Sequence, residues 1–135
     1  MNLVDQLLKA DAKKINDLDT GVYKSKKLAK VLGQDEPVEI TIREIPSRRL
    51  NDIVAFQLDK KGNVDFAKTF ETKLMVCLEG IVEPSMRNKD LQEHFGAKSG
   101  TDLAEKLFGS EINEISDAIS ALSGLVGNEE EEIKN

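Results

Sequence analysis

The sequence predicts a mainly α protein with a small β element, an α+β chain built as a compact helical domain with a short strand region near its N-terminus. Three observations carry this expectation. Apolar residues recur at helical spacing in several segments that close on glycine. One stretch, Val38 to Arg43, alternates apolar and polar residues at period two. The apolar bulk is aliphatic: with five Phe, one Tyr and no Trp in 135 residues, a core has to be assembled from Leu, Ile, Val and Ala. The length fits one domain.

Taken in order, residues 2–18 read as an amphipathic helix. Leu3, Val4, Leu7 and Leu8 form a thin stripe that Ile15 and Leu18 continue, and Gly21 breaks it. That stripe could dock on the chain's own core or serve a partner. Val22-Tyr23 is a short strand. Ser25 caps a basic helical turn, Lys26 to Leu32, which Gly33 ends. Val38, Ile40 and Ile42 then alternate with Glu39, Thr41 and Arg43 in the clearest strand of the chain. Ser47 is the expected cap of a helix whose buried face is Leu50, Ile53, Val54 and Leu58, followed by a Lys60-Lys61-Gly62-Asn63 turn.

Residues 65–82 give the strongest helical pattern, with Phe66, Phe70, Leu74, Cys77, Leu78 and Ile81 on one core stripe and Pro84 as the stop. Three shorter helices follow, Asn88 to Phe95, Thr101 to Phe108 and Ser110 to Ser123, each with a capping residue in front and a glycine near its end. Four consecutive Glu, Glu129 to Glu132, repel one another and bury nothing, so residues 127–135 are expected to be a disordered acidic tail. The expected organisation is an N-terminal amphipathic helix over 1–20, whose order in isolation the sequence leaves open, one mostly helical globular domain over 21–126, and that tail.

The net charge of −6 disfavours general nucleic-acid binding, which needs cations to neutralise phosphates. The charge is uneven. Residues 1–61 hold 12 Lys/Arg against 10 Asp/Glu, and residues 62–135 hold 7 against 15. Solvated faces account for this. So would a polarised molecule that associates head to tail or meets a charged partner. The cluster Lys24, Lys26, Lys27 and Lys30, with Arg48 and Arg49, is the one candidate for a positive patch, and only Tyr23 is at hand for stacking.

Chemistry has little to work with. A lone His94 has neither a His nor a Cys partner in sequence, and the single Cys77 sits among Leu74, Met75, Val76 and Leu78 as a core residue. Glu111 with Glu114, and Glu114 with Asp117, share a helix face without anything to separate their acidities. No phosphate-binding glycine loop or EF-hand pattern occurs. These observations describe an acidic, non-enzymatic interaction protein with no cofactor and no metal. The absence of an apolar run suited to a signal peptide or a membrane span places it in the cytosol.

Several stretches resemble the tail assembly chaperone family of phages and PBSX-type prophages of Gram-positive hosts. LLKADAKKI (Leu7 to Ile15) is similar to that family's opening helix. SKKLAKVLG (Ser25 to Gly33) and PVEITIREIP (Pro37 to Pro46) resemble its basic turn and strand. VEPSMRNKDLQEHFGAKSGTDLAEKLF (Val82 to Phe108) resembles its most recognisable block, and GSEINEISDAISALSG (Gly109 to Gly124) its closing helix. The resemblance implies a non-catalytic viral protein of the host cytoplasm, absent from the mature virion. It would bind the tape-measure protein, keep it soluble and help recruit tail tube protein.

The resemblance also implies a longer form of the chain made by ribosomal frameshift. Lys134-Asn135 can be written AAA AAC, and an ATA codon for Ile133 would complete a slippery heptamer. The expected contact surface is the stripe Leu3, Val4, Leu7 and Leu8. The alternative is a groove beside the C-terminal helices at Leu122, Leu125 and Val126. A homo-oligomer and a monomer are both compatible with the sequence. Competing functions are a structural tail completion or connector protein and a small nucleic-acid-binding regulator using Lys24 to Lys30.

Overall fold

The computed structural model describes residues 2–125. Val126 and the acidic run therefore lie outside the described residues. Seven helices and three strands follow in the order α1 (Leu3–Lys9), β1 (Thr20–Ser25), α2 (Lys26–Leu32), β2 (Val38–Arg43), α3 (Ser47–Ala55), α4 (Thr69–Gly80), β3 (Ile81–Glu83), α5 (Lys89–His94), α6 (Gly100–Phe108) and α7 (Ile112–Leu122). The mainly helical α+β expectation holds.

The sheet is antiparallel with β2 in the middle. Tyr23 faces Ile40 and Gly21 faces Ile42 across one edge, and Ile42 faces Ile81 across the other. The period-two pattern of β2 is what makes it central, since Ile40 and Ile42 both point into the core and are fully buried. Helix α7 packs on β1 and β2 on that side, and α4 and α6 pack with it and with each other. Phe108, Leu103, Ile112, Ile115, Ile119, Ile53 and Met86 fill the space between them.

Local capping set most of the helix boundaries. Ser25 accepts a hydrogen bond from the Leu28 N–H, Asn88 from the Leu91 N–H and Ser99 from the Asp102 N–H, each satisfying a first-turn donor. Gly33 closes α2 at φ 68°, a left-handed conformation that a side chain would strain.

The structure departs from the sequence expectation in five places, one of them the closing helix: Gly109–Glu111 form a 3-10 turn, and α7 starts at Ile112 without a side-chain cap. The N-terminal segment is not one helix. Ala10 is extended after α1, and the Asp11 carboxylate takes the Lys13 N–H to start a separate 3-10 turn over Ala12–Asn16. Ser47 is not a cap: Pro46 occupies that position, and Ser47 lies inside α3 with no side-chain cap bond made. Leu58 leaves α3 for a short bridge to Val64 and is exposed. The 65–82 segment splits into a 3-10 turn at Phe66–Lys68, begun by the Asp65 side chain, then α4 and β3. Phe66 is 84% exposed, and Phe70 is exposed as well. Ile81 ends α4 because its backbone pairs with β2, where a β-branched residue fits.

The packing of α7 on α4 depends on Gly80. A Cβ there would lie 2.5 Å from Ile119 Cγ2, inside the contact distance of real atoms. Gly80→Ala is expected to cost about 1–3 kcal/mol by overpacking. Combined with Ile119→Ala it should cost less than the sum of the two changes, since the second removes the atoms that the first meets. Urea midpoints of the single and double variants measure this, and additive losses would contradict it.

Candidate functional site

Three surfaces and one cleft offer a partner something to hold. The first is α1. Residues 2–17 are exposed throughout, and α1 buries none of its side chains. Leu3 and Leu7 fall one turn apart, as do Val4 and Leu8, so the four make one apolar face. Their exposures run from 63% to 79%, values that leave almost none of that face covered by the domain. Asn2 caps the helix through the Asp5 N–H, so its geometry is set locally.

The second surface is the groove between α3 and the end of α7, lined by Ser47, Leu50, Asn51, Val54, Gly124 and Leu125. The expected residues divide here. Leu125 lines the groove and is exposed, whereas Leu122 is half-buried and packs over Gly21, where a Cβ would come within 3.3 Å of it. Val126 is outside the described residues.

A third surface escaped the sequence reading. Between α3 and α4 the chain forms a short arm, closed by the Leu58–Val64 bridge and by hydrogen bonds from the Asp65 N–H to Gln57 O and the Asp59 N–H to Asn63 O. Phe56, Leu58, Val64 and Phe66 are all exposed along it, Phe70 is exposed beside it at the start of α4, and Lys68 sits over the Phe56 ring at 5.3 Å. The signal was present in part: Leu58 and Val64 flank a Lys-Lys-Gly-Asn turn, the mark of a hairpin rather than a helix end.

The cleft lies where β1 runs into α2. Lys24, Lys26, Lys27 and Lys30 line it with Tyr23 on one side, and Glu111 and Glu114 line the other. Ser25 is fully buried beneath. Its hydroxyl donates to Glu111 Oε1 at 2.6 Å, and Glu111 Oε2 accepts the Lys26 N–H at 3.0 Å. One carboxylate from the start of α7 thus completes the cap of α2. The Tyr23 hydroxyl donates to Glu114 Oε2 at 2.6 Å. Burial, that hydrogen bond and the charges of Glu111 and Glu114 push its phenol far above the ordinary range, so it remains a donor.

Arg48 and Arg49 do not extend this lysine group. They follow the opposite end of the β1–β2 ladder, where Thr20 pairs with Arg43. Arg49 pairs with Glu79 at 3.1 Å, and Arg87 joins the same carboxylate at 2.9 Å. Arg43 and Arg87 also donate to Glu79 O and Leu78 O, the last carbonyls of α4.

Cys77 and His94, the two residues the sequence offered for chemistry, are placed apart from one another and each contacts other groups. Cys77 is fully buried, its thiol 3.8 Å from Ile112 O, and burial pushes its pKa up to about 12. His94 is exposed and stacks edge-on against Phe95, with centroids 4.8 Å apart. Among the described residues, no group of three His, Cys, Asp or Glu side chains is placed to hold a metal ion, and no helix is long and apolar enough to cross a membrane.

Glu79 links this region to pH. Desolvation raises its pKa, but the hydrogen bonds and charges of Arg87 and Arg49 together outweigh it, and the net shift is downward. A carboxylate with a depressed folded pKa stabilises the fold above its unfolded pKa, and that contribution disappears as pH falls through the folded value. Glu79→Gln should therefore lower the melting temperature at about pH 7 and cost less at about pH 2, below the ordinary carboxylate range, where the contribution of the ion pairs is being lost. Equal losses at both pH values would contradict it.

Comparison with known proteins agrees with this architecture. The crystal structure of the protein yqbn superposes on 82% of this chain and 90% of its own, with a TM-score of 0.56 at 14% identity, a likeness of fold alone. No curated protein matches the chain in sequence. A family model described as phage XkdN-like tail assembly chaperone protein matches residues 4–134. With nearly the whole length covered, the chain belongs to the XkdN-like family of phage tail assembly chaperones.

Proposed function

We propose that this chaperone binds the tape-measure protein through the apolar face of α1, keeps it soluble in the host cytoplasm and promotes assembly of the tail tube around it. The observation that carries this is the exposure of Leu3, Val4, Leu7 and Leu8, all at 63% or more, on a capped helix that the domain does not use for its own core. Solvent exposure of a contiguous apolar face is costly and marks a surface that a partner covers. A tape measure is a long helical protein whose own apolar stripe needs cover, and two amphipathic helices can bury their stripes against each other at i, i+3, i+4 and i+7 spacing.

The arm carrying Phe56 and Phe66, Phe70 beside it and the groove at Leu125 supply further apolar area for the same client. A frameshifted longer form of the chain would carry the same α1 face into a complex that also recruits tail tube protein. The role is one of binding alone. It needs no catalytic group, and the chaperone leaves before the virion is complete.

Co-expression with the tape-measure protein of the same genome tests the reading. Leu7→Asp with Leu8→Asp should reduce soluble tape measure by at least about tenfold, the equivalent of about 1.4 kcal/mol of binding. Because both residues are exposed, the variant should keep its own stability within about 0.5 kcal/mol. Undiminished co-solubility with a folded variant would move the contact to the arm or the groove. The chaperone found by mass spectrometry in purified virions would favour a structural tail component instead.

A further inference from the structure

The sheet ends on an open edge at β1. The Glu44 N–H donates to Asp19 O at 2.7 Å, so Asp19 turns its backbone groups toward β2. In an antiparallel ladder this direction alternates along the strand. Gly21, Tyr23 and Ser25, opposite Ile42, Ile40 and Val38, therefore bond β2 as well, and Thr20, Val22 and Lys24 aim their N–H and C=O groups away from it. Among the described residues no hydrogen bond takes these outward groups, and all three residues are exposed, Val22 at 58%. The free stretch is bounded, because the N–H of Lys26, just beyond the strand, is taken by Glu111 Oε2 at 3.0 Å. The opposite edge offers less: β3 has three residues, a register shift against β2, and Pro84 directly after it.

We propose that β1 is a dimer interface, pairing antiparallel with β1 of a second copy about a two-fold axis through Val22. The register follows from the free groups. Only residues whose backbone points outward can bond across the edge, so Thr20, Val22 and Lys24 meet Lys24, Val22 and Thr20 of the second copy. That register uses every free group, in about six backbone hydrogen bonds. A slip of one residue would set free groups against groups already bonded to β2, and a slip of two would leave one end unpaired.

The side chains suit a second copy as the partner. A lysine on an edge strand ordinarily repels another strand. Here the two-fold sets Lys24 across from Thr20 and keeps the two Lys24 side chains at opposite ends of the ladder, each with Glu39 beside it on β2. Val22 meets Val22, a β-branched pair that covers surface now in water. Asp17 and Asp19 precede the strand and Lys26 and Lys27 follow it, so the acidic approach of each copy meets the basic exit of the other. Glu111 and Glu114 offset part of that basic charge, so these contacts set direction more than strength. The layer beneath allows the approach. Because α7 packs on both β1 and β2, its axis lies about one strand spacing, roughly 4.8 Å, from the two-fold. The two copies of α7 then lie about 10 Å apart, the distance of packed helices. Between Glu114, which meets Tyr23, and Leu122, which lies over Gly21, that side of α7 carries the small Ala118.

Amide hydrogen exchange of the full chain, read by NMR, provides the test. It needs no client, so it stands apart from the tape-measure reading. In the dimer, twice the 15.0 kDa of one chain, the amides of Thr20, Val22 and Lys24 should exchange at least about tenfold more slowly than after dilution to monomer, while Gly21 and Tyr23 stay protected throughout. Val22→Pro removes one outward N–H per copy and leaves the bonds to β2 intact, a change that an edge strand tolerates. By analytical ultracentrifugation it should raise the dimer dissociation constant at least about tenfold. The exchange pattern of the unaltered chain decides the matter even where that variant folds poorly. A chain that is monomeric at NMR concentrations would overturn the proposal, as would a dimer whose three edge amides exchange as fast as in the monomer. A dimer unchanged by Val22→Pro, or one dissolved by Leu7→Asp with Leu8→Asp, would also overturn it, the latter by assigning the contact to α1. Protection of the three amides only on addition of tape-measure protein would overturn it too, by giving the edge to the client.

Discussion

The approach of α7 to α4 across Gly80, with Ile119 seated where a Cβ would be, sets the spacing on which the rest of the domain depends. Helix α4 continues directly into β3, and β3 pairs with β2, so the position of α7 is transmitted through α4 to the sheet. The same helix reaches the other edge through Leu122 over Gly21 on β1. Two residues without side chains, in different elements and 59 positions apart, make room for two side chains of one helix. Close packing of this sort tolerates little change of volume, because a core at crystal-like density has nowhere to relax.

Polar groups join the same elements at their ends. Ser25 is fully buried where β1 turns into α2, and a buried hydroxyl without a partner would be costly. It caps its own helix through the Leu28 N–H and donates to Glu111, so the start of α7 is tied to the start of α2. At the other end of α7, the Ser123 hydroxyl accepts the Ile45 N–H and donates to Ile119 O. The closing helix is pinned at both ends by hydrogen bonds to elements near the N-terminal half of the chain. Glu79 does related work at the end of α4, gathering Arg49 from α3 and Arg87 from the segment after β3.

Large apolar side chains left in water stand in contrast to these hydrogen-bonded helix ends. The domain buries a central set of aliphatic residues, yet exposes the α1 stripe and the arm between α3 and α4, besides scattered positions such as Val22, Leu32 and Val82. A chain with only five Phe exposes three of them, Phe56 and Phe66 on that arm and Phe70 at the start of α4. A stable core needed none of the three, since α4, α6 and α7 meet through Ile, Leu and one buried Phe108. The division between a self-sufficient core and an apolar periphery suits a protein whose family assembles tails by holding other chains.

Much of this was legible before any coordinates. The strand Val38 to Arg43, the Ser25 cap and the Gly33 stop are written in signals that act within four residues, and at these positions the tertiary contacts agree with them. The α1 stripe was legible as a pattern, though the sequence left open whether it docks inward. Tertiary structure decided what local pattern could not. Ile81 and Val82 continue a helical periodicity, but a free edge of β2 turned them into a strand. Phe66 and Phe70 fit a core stripe, but the helix they were to extend begins after Phe66 and the other helices leave them outside. Ser25, Glu111 and the four lysines became one site only when α7 came to lie along β1, because burial and pairing are properties of elements that meet in space rather than of neighbours along the chain.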